Sequence, residues 1–246
     1  MSKTLKNKTV WLTGGKRIGQ SIAEELASLG ANIVASYRSS KEEAEELVEK
    51  AKAHGVKTQI IQCDVSNRES VTSTVGKIKS EFGKLDILVL MASIFKPVKL
   101  ENIQEKDLDA NFSVHVKGTF WPIQLSIPMM KPGSHIITIS DRTVIGKIYP
   151  GYLPYVITKS AVASMTKALA VELGPKGIFV NSIAPGPILK PDDISDKEWA
   201  DIRSGSIVKY PVTDEEAVRE FVETTLRLCF TRSSGSVYPL DLGHLW

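Results

Sequence analysis

Short apolar runs alternate with longer segments of helical periodicity along the whole chain. Seven runs rich in β-branched and apolar residues are predicted to be strands, at 9–13, 31–37, 57–63, 85–91, 135–139, 179–183 and 237–240. Six segments are predicted to be helices, at 18–29, 41–54, 71–82, 113–130, 155–173 and 215–229. In the fourth helix, Pro122 and Pro128 are expected to kink the helix or end it early.

The regular alternation of strands and helices predicts the fold class. Strand 85–91 is a near-continuous apolar run, which is typical of a parallel strand covered on both faces. The 246 residues show neither a Pro/Gly/Ser-rich linker nor a repeat. We therefore predict a single α/β domain of the Rossmann type: a doubly wound parallel seven-stranded sheet with helices on both faces.

The bulk composition excludes several classes of protein. Hydrophobic residues make up 42% of the chain and charged residues 24%, as in an ordinary globular protein. The net charge of +3 comes without clusters of basic and aromatic residues, so no nucleic-acid partner is expected. No apolar run approaches the roughly 18 residues of a membrane helix, so no membrane partner is expected. Cys63 and Cys229 lack metal-ligand spacing, which predicts buried thiols, no metal site and a cytoplasmic location.

Two glycines follow the first strand and precede the first helix. Glycines let the backbone approach a pyrophosphate closely, and the start of a helix offers free N–H groups and partial positive charge. The turn is therefore predicted to bind a nucleotide cofactor. The expected contacts are Gly14, Lys16, Arg17, Ile18 and Gly19.

The end of the second strand indicates which nucleotide is bound. An acidic residue there would bind both ribose hydroxyls of NAD, but the strand is followed by Arg38, Ser39 and Ser40. A guanidinium and hydroxyls suit a 2′-phosphate, so NADP(H) is predicted, with Arg38 and Ser39 as contacts. The alternative is that Arg38 is merely a solvated strand-end residue.

Tyr155 and Lys159 are the candidate catalytic pair. They lie four positions apart near the start of a predicted helix and therefore share one face. A phenol has a pKa of about 10, and a neighbouring ammonium is expected to lower the pKa of Tyr155 towards the working range. A phenol so adjusted can donate or accept a proton.

With these residues in place, the chain resembles the short-chain dehydrogenase/reductase family over essentially its full length. The motifs that carry the resemblance are the glycine turn, Cys63-Asp64-Val65, Ala92-Ser93, Tyr155 with Lys159, and the stretch 181–186. The resemblance implies that Lys159 also binds the nicotinamide ribose, and that hydride passes to or from a small-molecule substrate beside Tyr155. It further implies a homotetramer, formed through the apolar helices 113–130 and 162–173. The other cofactor contacts that it implies are Asp64, Val65, Ala92, Ser93, Pro185, Gly186 and Ile188.

Two residues resemble one branch of that family, the pteridine and dihydromonapterin reductases. Asp141 is expected where most members carry a serine, before the catalytic tyrosine. Reducing a ring C=N requires a proton on nitrogen, and a carboxyl group can relay one. Phe95 resembles the aromatic residue of this branch whose ring stacks on the pterin. Asp141, Phe95 and Tyr155 are therefore the expected substrate contacts.

Several departures from the family pattern leave questions open. The spacing from Asp141 to Tyr155 is one residue longer than usual, so Ser140 or Arg142 is an alternative occupant of that position. The glycine turn is one residue shorter than usual. Leu90 and Met91 replace an Asn-Asn pair whose amides normally pin the strand to the central helix, and His115 takes the place of a proton-relay asparagine.

Three functions compete at this point. The first hypothesis is an NADPH-dependent reductase of a pterin or dihydrofolate-like C=N, with Tyr155 as proton donor. The alternative is a carbonyl reductase of a ketone such as a 3-oxoacyl thioester. The third is a non-catalytic NADP(H)-binding sensor. Segment 189–212 is expected to be the substrate lid, but its composition does not identify the substrate.

Overall fold

One parallel sheet forms the centre of the protein. The computed structural model describes residues 4–14, 18–191 and 194–244. All seven predicted strands are present, at Thr9–Thr13 (β1), Asn32–Tyr37 (β2), Thr58–Gln62 (β3), Ile87–Leu90 (β4), His135–Ile139 (β5), Phe179–Pro185 (β6) and Val237–Leu240 (β7). Their order across the sheet is β3-β2-β1-β4-β5-β6-β7, and every neighbouring pair is parallel.

Helices cover both faces of this sheet. Within the described residues the α-helices are Ile18–Ser28 (α1), Lys41–Lys52 (α2), Arg68–Phe82 (α3), Glu105–Asn111 (α4), Gly118–Ser126 (α5), Leu153–Leu173 (α6), Asp196–Ser204 (α7) and Asp214–Leu228 (α8). Side chains of α1, α2 and α8 fill one apolar cluster, and side chains of α3, α5 and α6 fill a second. The predicted doubly wound, seven-stranded, single-domain Rossmann-type fold is confirmed.

Along the central strands, successive side chains belong alternately to the two apolar clusters. Trp11 and Leu88 belong to one cluster, whereas Leu12 and Val89 belong to the other. All four are fully buried. Successive side chains of a strand point to opposite faces, so a strand covered on both sides needs an apolar residue at every position. The run at 85–91 reflects that requirement.

Capping interactions shift the ends of some helices from their predicted bounds. The side chain of Asn67 accepts a hydrogen bond from the Ser70 N–H at 2.9 Å, so α3 begins three residues before the predicted position 71. Helix α3 ends at Gly83, whose φ of 71° is typical of a helix C-terminus. Thr213 and Glu216 cap α8 reciprocally.

The central helical segment differs most from its prediction. In place of one helix at 113–130, α4 is followed by a π-helical turn, Phe112–Lys117, and then by α5. Pro122 lies inside α5 and does not end it, and a kink at Pro122 stays a prediction. Its ring is buried, and the packing offsets the hydrogen bond that proline cannot donate. Pro128 lies in the final 3₁₀ turn, where the helical segment ends as expected.

The remaining predictions concern the surface. Of the expected substrate lid, 189–212, all but residues 192 and 193 lie in the described part, and α7 forms its helical portion. The role as a lid stays a prediction. Within the described ranges, no helix is both long and apolar enough to cross a membrane.

The cysteines and the outer face of α6 bear on two further predictions. Cys63 and Cys229 are buried free thiols, as predicted. On α6, the exposed fractions of Ile157 and Val171 are 39% and 77%. Exposed apolar side chains suit a contact between subunits, but the homotetramer stays a prediction.

Candidate active site

A cleft opens at the carboxyl end of the sheet, where β1 and β4 lie side by side. The chain leaves these two strands in opposite directions across the sheet, and such switch points are where α/β proteins bind ligands. The cleft has a volume of about 340 Å³, within the usual range for ligand sites. Seven of the predicted cofactor residues line it: Gly14, Arg38, Ser39, Asp64, Val65, Ala92 and Ser93.

Gly14 is required by the geometry at the floor of this cleft. Its φ is 71°, a conformation that side-chain-bearing residues rarely adopt. A Cβ atom at this position would lie only 2.9 Å from the Cα of Ala92, at the end of β4. The predicted contacts Lys16 and Arg17, and the shortened turn itself, lie outside the described residues.

The charge at the end of β2 suits a phosphorylated ligand. Arg38, Ser39 and Ser40 line the cleft there, with no carboxylate among them. Asp64 also lines the cleft, but its Oδ1 already accepts hydrogen bonds from the N–H and the hydroxyl of Ser66, at 2.9 and 2.6 Å. A guanidinium with adjacent hydroxyls can bind phosphate oxygens.

The other predicted cofactor residues do not line this cleft: Ile18, Gly19, Lys159, Pro185, Gly186 and Ile188. One of these positions needs glycine for close packing, because an added Cβ at Gly186 would lie 2.7 Å from the Asp241 carbonyl oxygen. At Gly19 an added Cβ would lie 3.3 Å from Met91 Cε, at the end of a flexible side chain. Ile188 is buried. Cofactor contacts by these six residues stay predictions.

A buried phenol and a buried carboxylate meet beside the cleft. The hydroxyl of Tyr155, in the first turn of α6, donates a hydrogen bond to Asp141 Oδ2 at 2.9 Å. The other carboxylate oxygen accepts the Thr143 N–H at 2.9 Å. The structure thus brings together two of the predicted catalytic residues, which the sequence places 14 positions apart.

The hydrogen bonds of the two neighbouring residues show which side chain faces Tyr155. The hydroxyl of Ser140 donates to the carbonyl oxygen of Ile183 at 3.1 Å. The guanidinium of Arg142 donates to the carbonyl oxygen of His244 at 3.1 Å. Asp141 therefore occupies the position before Tyr155, and the alternatives Ser140 and Arg142 do not.

The pKa of Tyr155 departs from its predicted direction. Burial, and then the adjacent Asp141 carboxylate, raise this pKa well above its usual value. The expected net lowering of this pKa was wrong. Burial and the Asp141 carboxylate, which is within hydrogen-bond distance, outweigh Lys159, whose Nζ lies 5.6 Å from the ring centroid. Tyr155 is therefore a neutral phenol near neutral pH.

Lys159 is buried beneath this pair. Its ammonium donates a hydrogen bond to the carbonyl oxygen of Ile139 at 2.8 Å. Burial lowers the pKa of Lys159 to about 8, and the Asp141 carboxylate opposes that shift. Lys159 is thus mostly protonated near neutral pH and places a positive charge close to Tyr155.

The match to known proteins covers most of the chain. A family model described as enoyl-(acyl carrier protein) reductase matches residues 15–241. The 3-oxoacyl-(acyl-carrier-protein) reductase FabG of Staphylococcus aureus is 36% identical over 207 residues, which are 83% of this chain and 83% of the relative. The chain belongs to the short-chain dehydrogenase/reductase family.

Two solved structures of similar fold contain a nicotinamide cofactor. A short-chain dehydrogenase from Burkholderia cenocepacia in complex with NADP is 27% identical, has a TM-score of 0.89, and covers 98% of this chain and 99% of its own. A blue fluorescent protein from a metagenomic library in complex with NADPH is 28% identical, has a TM-score of 0.90, and covers 99% of this chain and 100% of its own. The expected pteridine reductase branch finds no support in these comparisons.

In this short-chain dehydrogenase/reductase, His115 holds the strand end to the central helix, a contact that the family's Asn-Asn pair normally makes. It lies in the π-helical turn and is buried. Its Nε2 accepts the Ile94 N–H at 3.1 Å and lies 2.9 Å from the Ser93 hydroxyl, so it pins the end of β4 to the central helix. Its Nδ1 lies 2.8 Å from the Thr158 hydroxyl on α6. Burial, and then the charge of Lys159, lower the pKa of His115 to about 3.

Phe95 belongs to a group of aromatic rings above the catalytic pair. It is stacked on Tyr152 at 4.2 Å and meets Tyr155 edge-on at 4.8 Å. Its exposed fraction is 44%, so part of the ring remains available to a ligand. Substrate contact by Phe95 stays a prediction.

Sequence reasoning missed two tyrosines in this group. Tyr149 lies edge-on to Tyr152 at 5.2 Å, and its hydroxyl approaches both oxygens of Asp141, at 3.3 and 3.4 Å. The signal was present in the sequence, because tyrosines recur every third position from 149 to 155.

Replacing His115 with Asn is expected to make the stability of the protein less sensitive to acid. The folded state holds this imidazole neutral, so the unfolded chain binds an additional proton between about pH 6.5 and pH 3. His115 therefore makes stability fall as the pH falls through that window. From pH 6.5 to pH 4 this loss is roughly 3 kcal/mol, and His115→Asn removes it. Urea unfolding at a series of pH values measures it.

His54→Asn is the matched control, because His54 is exposed. The free energy of unfolding of His54→Asn should change with pH in the same way as that of the wild-type protein. A constant stability difference between wild type and His115→Asn down to pH 4 would show that His115 protonates freely in the folded protein.

Proposed function

We propose that this protein is an NADPH-dependent carbonyl reductase that acts on a ketone of the 3-oxoacyl thioester class. The observation that carries the proposal is the hydrogen bond from the buried phenol of Tyr155 to Asp141, beside the cleft. At neutral pH this phenol holds a proton, and reduction of a carbonyl requires a group that can donate one. The similarity to the S. aureus 3-oxoacyl-(acyl-carrier-protein) reductase supports a ketone as the substrate.

The cofactor is NADP(H), and the residues of the cleft fit it. Gly14 lines the cleft, and its lack of a Cβ lets the turn pack closely against the backbone of Ala92 at the end of β4. Arg38 with Ser39 and Ser40 would hold a 2′-phosphate at the end of β2. When bound, the cofactor supplies a hydride to the substrate carbon.

Three side chains have separate roles in the proposed reaction. Tyr155 donates its proton to the substrate atom that gains charge as the carbon is reduced. Asp141 orients the Tyr155 hydroxyl through their 2.9 Å hydrogen bond. The buried charge of Lys159 stabilises the phenolate that remains after the proton has left.

Reduction of a pterin or dihydrofolate-like C=N is the second candidate, and one observation favours it. The partner of Tyr155 is a carboxylate, whereas a developing oxyanion is better served by a neutral hydroxyl. A ring nitrogen that must gain a proton suits an acidic group instead. The partly exposed ring of Phe95 offers a surface on which a flat substrate could stack.

A substrate panel separates the candidates. We expect NADPH oxidation with acetoacetyl-coenzyme A, and little or none with dihydrobiopterin or dihydrofolate. Tyr155→Phe should lower kcat by about 10²- to 10⁴-fold, because the proton donor is lost. NADPH affinity should be unchanged, since the cleft residues are intact. Absorbance at 340 nm and NADPH fluorescence titration measure the two effects.

The other outcomes of the panel are equally informative. Turnover of the dihydropterins alone would replace the ketone proposal with the second candidate. Full activity of Tyr155→Phe would refute the role of Tyr155 as the proton donor. Tight binding of NADPH without turnover of any substrate in the panel would leave the non-catalytic NADP(H) sensor as the better description.

The preference for NADPH over NADH is expected to depend on Arg38. Arg38→Ala should weaken NADPH binding by about 10- to 100-fold, the usual worth of a charge-assisted hydrogen bond, and should change NADH binding little. Fluorescence titration of both nucleotides measures this. Arg219→Ala removes the same charge from an exposed site on α8 and should have no effect. Equal losses for both nucleotides would place the 2′-phosphate elsewhere.

A further inference from the structure

Tyr149 lies on the outer side of the carboxylate that holds Tyr155. Its hydroxyl is 3.3 Å from Asp141 Oδ1 and 3.4 Å from Asp141 Oδ2. The second of these oxygens is the one that accepts the Tyr155 hydroxyl, at 2.9 Å. Tyr155 and Asp141 are buried, whereas Tyr149 is half-buried. A continuous phenol–carboxylate–phenol chain thus runs outward from the catalytic hydroxyl.

The other polar neighbours of Tyr155 are engaged elsewhere. His115 is buried and neutral, and its two ring nitrogens are occupied by the strand end at Ile94 and by Thr158. The Lys159 ammonium is buried and donates to the Ile139 carbonyl oxygen. Among the described residues, Asp141 is the side chain that bonds the Tyr155 hydroxyl.

A positive charge and a carboxylate both lie beside the Tyr149 phenol. The guanidinium carbon of Arg142 lies 5.5 Å from the centroid of the Tyr149 ring. This guanidinium is held in place by the carbonyl oxygen of His244, at 3.1 Å. Burial, and then the Asp141 carboxylate, raise the pKa of Tyr149 above its usual value, and the positive charge of Arg142 opposes that shift. A phenolate formed at Tyr149 would therefore take up a proton from water readily.

We propose that Tyr149 and Asp141 form a proton relay that returns a proton from solvent to Tyr155 after each turnover. The proposal rests on the proposed function only in that Tyr155 gives up its proton to a substrate. Tyr149 acts through Asp141 and is a positioning residue, since it contacts neither substrate nor cofactor in this scheme.

The relay is balanced in atoms and charge. Tyr155 loses a proton to the substrate and becomes a phenolate. The Tyr149 O–H bond breaks as its proton passes to Asp141 Oδ2, and that oxygen passes a proton to the Tyr155 oxygen. Tyr149, now a phenolate beside Arg142, takes a proton from water. One proton enters from solvent, one leaves on the substrate, and no electrons are transferred.

The test measures exchange of the Tyr155 hydroxyl proton with solvent and needs neither substrate nor cofactor. In protein labelled with [ζ-¹³C]tyrosine and dissolved in a 1:1 mixture of H₂O and D₂O, the ¹³Cζ isotope shift reports slow hydroxyl exchange. Tyr155→Phe assigns the resonance. Tyr149→Phe keeps the ring contacts but removes the hydroxyl, and should slow exchange at Tyr155 at least tenfold.

Two further variants keep the result interpretable. Asp141→Asn replaces a group that can carry a proton with an amide of the same size, and should also slow exchange at Tyr155. Tyr238→Phe makes the matched deletion in β7, outside the site, and should leave exchange unchanged. A purely structural role for Tyr149 predicts a loosened site and faster exchange. Unchanged or faster exchange in Tyr149→Phe would overturn the relay.

Turnover provides a second readout. With acetoacetyl-coenzyme A, Tyr149→Phe should lower kcat about tenfold, leave KM unchanged and raise the solvent deuterium isotope effect, because reprotonation becomes rate-limiting. Unchanged kcat and isotope effect would argue against the relay even if exchange slows. If the wild-type protein reduces no substrate of the panel, the proposed function fails, while the exchange measurement still decides the relay.

Discussion

The hydrogen bond between Asp141 and Tyr155 joins the end of β5 to the start of α6, and the chemistry of the site depends on it. A buried carboxylate must be hydrogen-bonded, because burying it without partners would cost several kcal/mol. The Thr143 N–H and the hydroxyls of Tyr155 and Tyr149 meet that need. Since both groups of the pair are buried, the phenol keeps its proton at neutral pH.

Leu90 and Met91 stand where the family pattern has two asparagines. Other polar groups hold the end of β4 in their place. A neutral imidazole carries one donor and one acceptor, and His115 uses both to tie the end of β4 to α6 across the π-helical turn. The hydroxyl of Thr13 accepts the Met91 and Ala92 N–H groups, at 3.2 and 3.4 Å. The strand end is therefore held from both sides.

This compensation restricts how protons can move. An imidazole that must remain neutral to hold the architecture is poorly suited to pass protons, since protonation would break its acceptor bond to Ile94. The family resemblance left a relay role for His115 open, with a satisfied buried histidine as the alternative, and its contacts to Ile94 and Thr158 suit the latter. In the proposed relay, Asp141 and Tyr149 supply the outward route in place of the histidine.

The sequence by itself determined the parallel sheet, the burial of its central strands on both faces, the glycine turn and the basic end of β2. These features follow from local periodicity and from single residues such as Gly14 and Arg38, whose requirements are set by their own backbone or charge. It also placed Tyr155 and Lys159 on one helical face, since four residues span about one turn.

Only the tertiary structure decided which residue faces Tyr155, which way its pKa moves, and what His115 and Tyr149 do. Hydrogen bonds between distant segments distinguish Asp141 from Ser140 and Arg142, and no spacing rule predicts them. The pKa of a phenol depends on its burial and on the nearest charge in space, and here a carboxylate lies closer than the ammonium that helical spacing suggested.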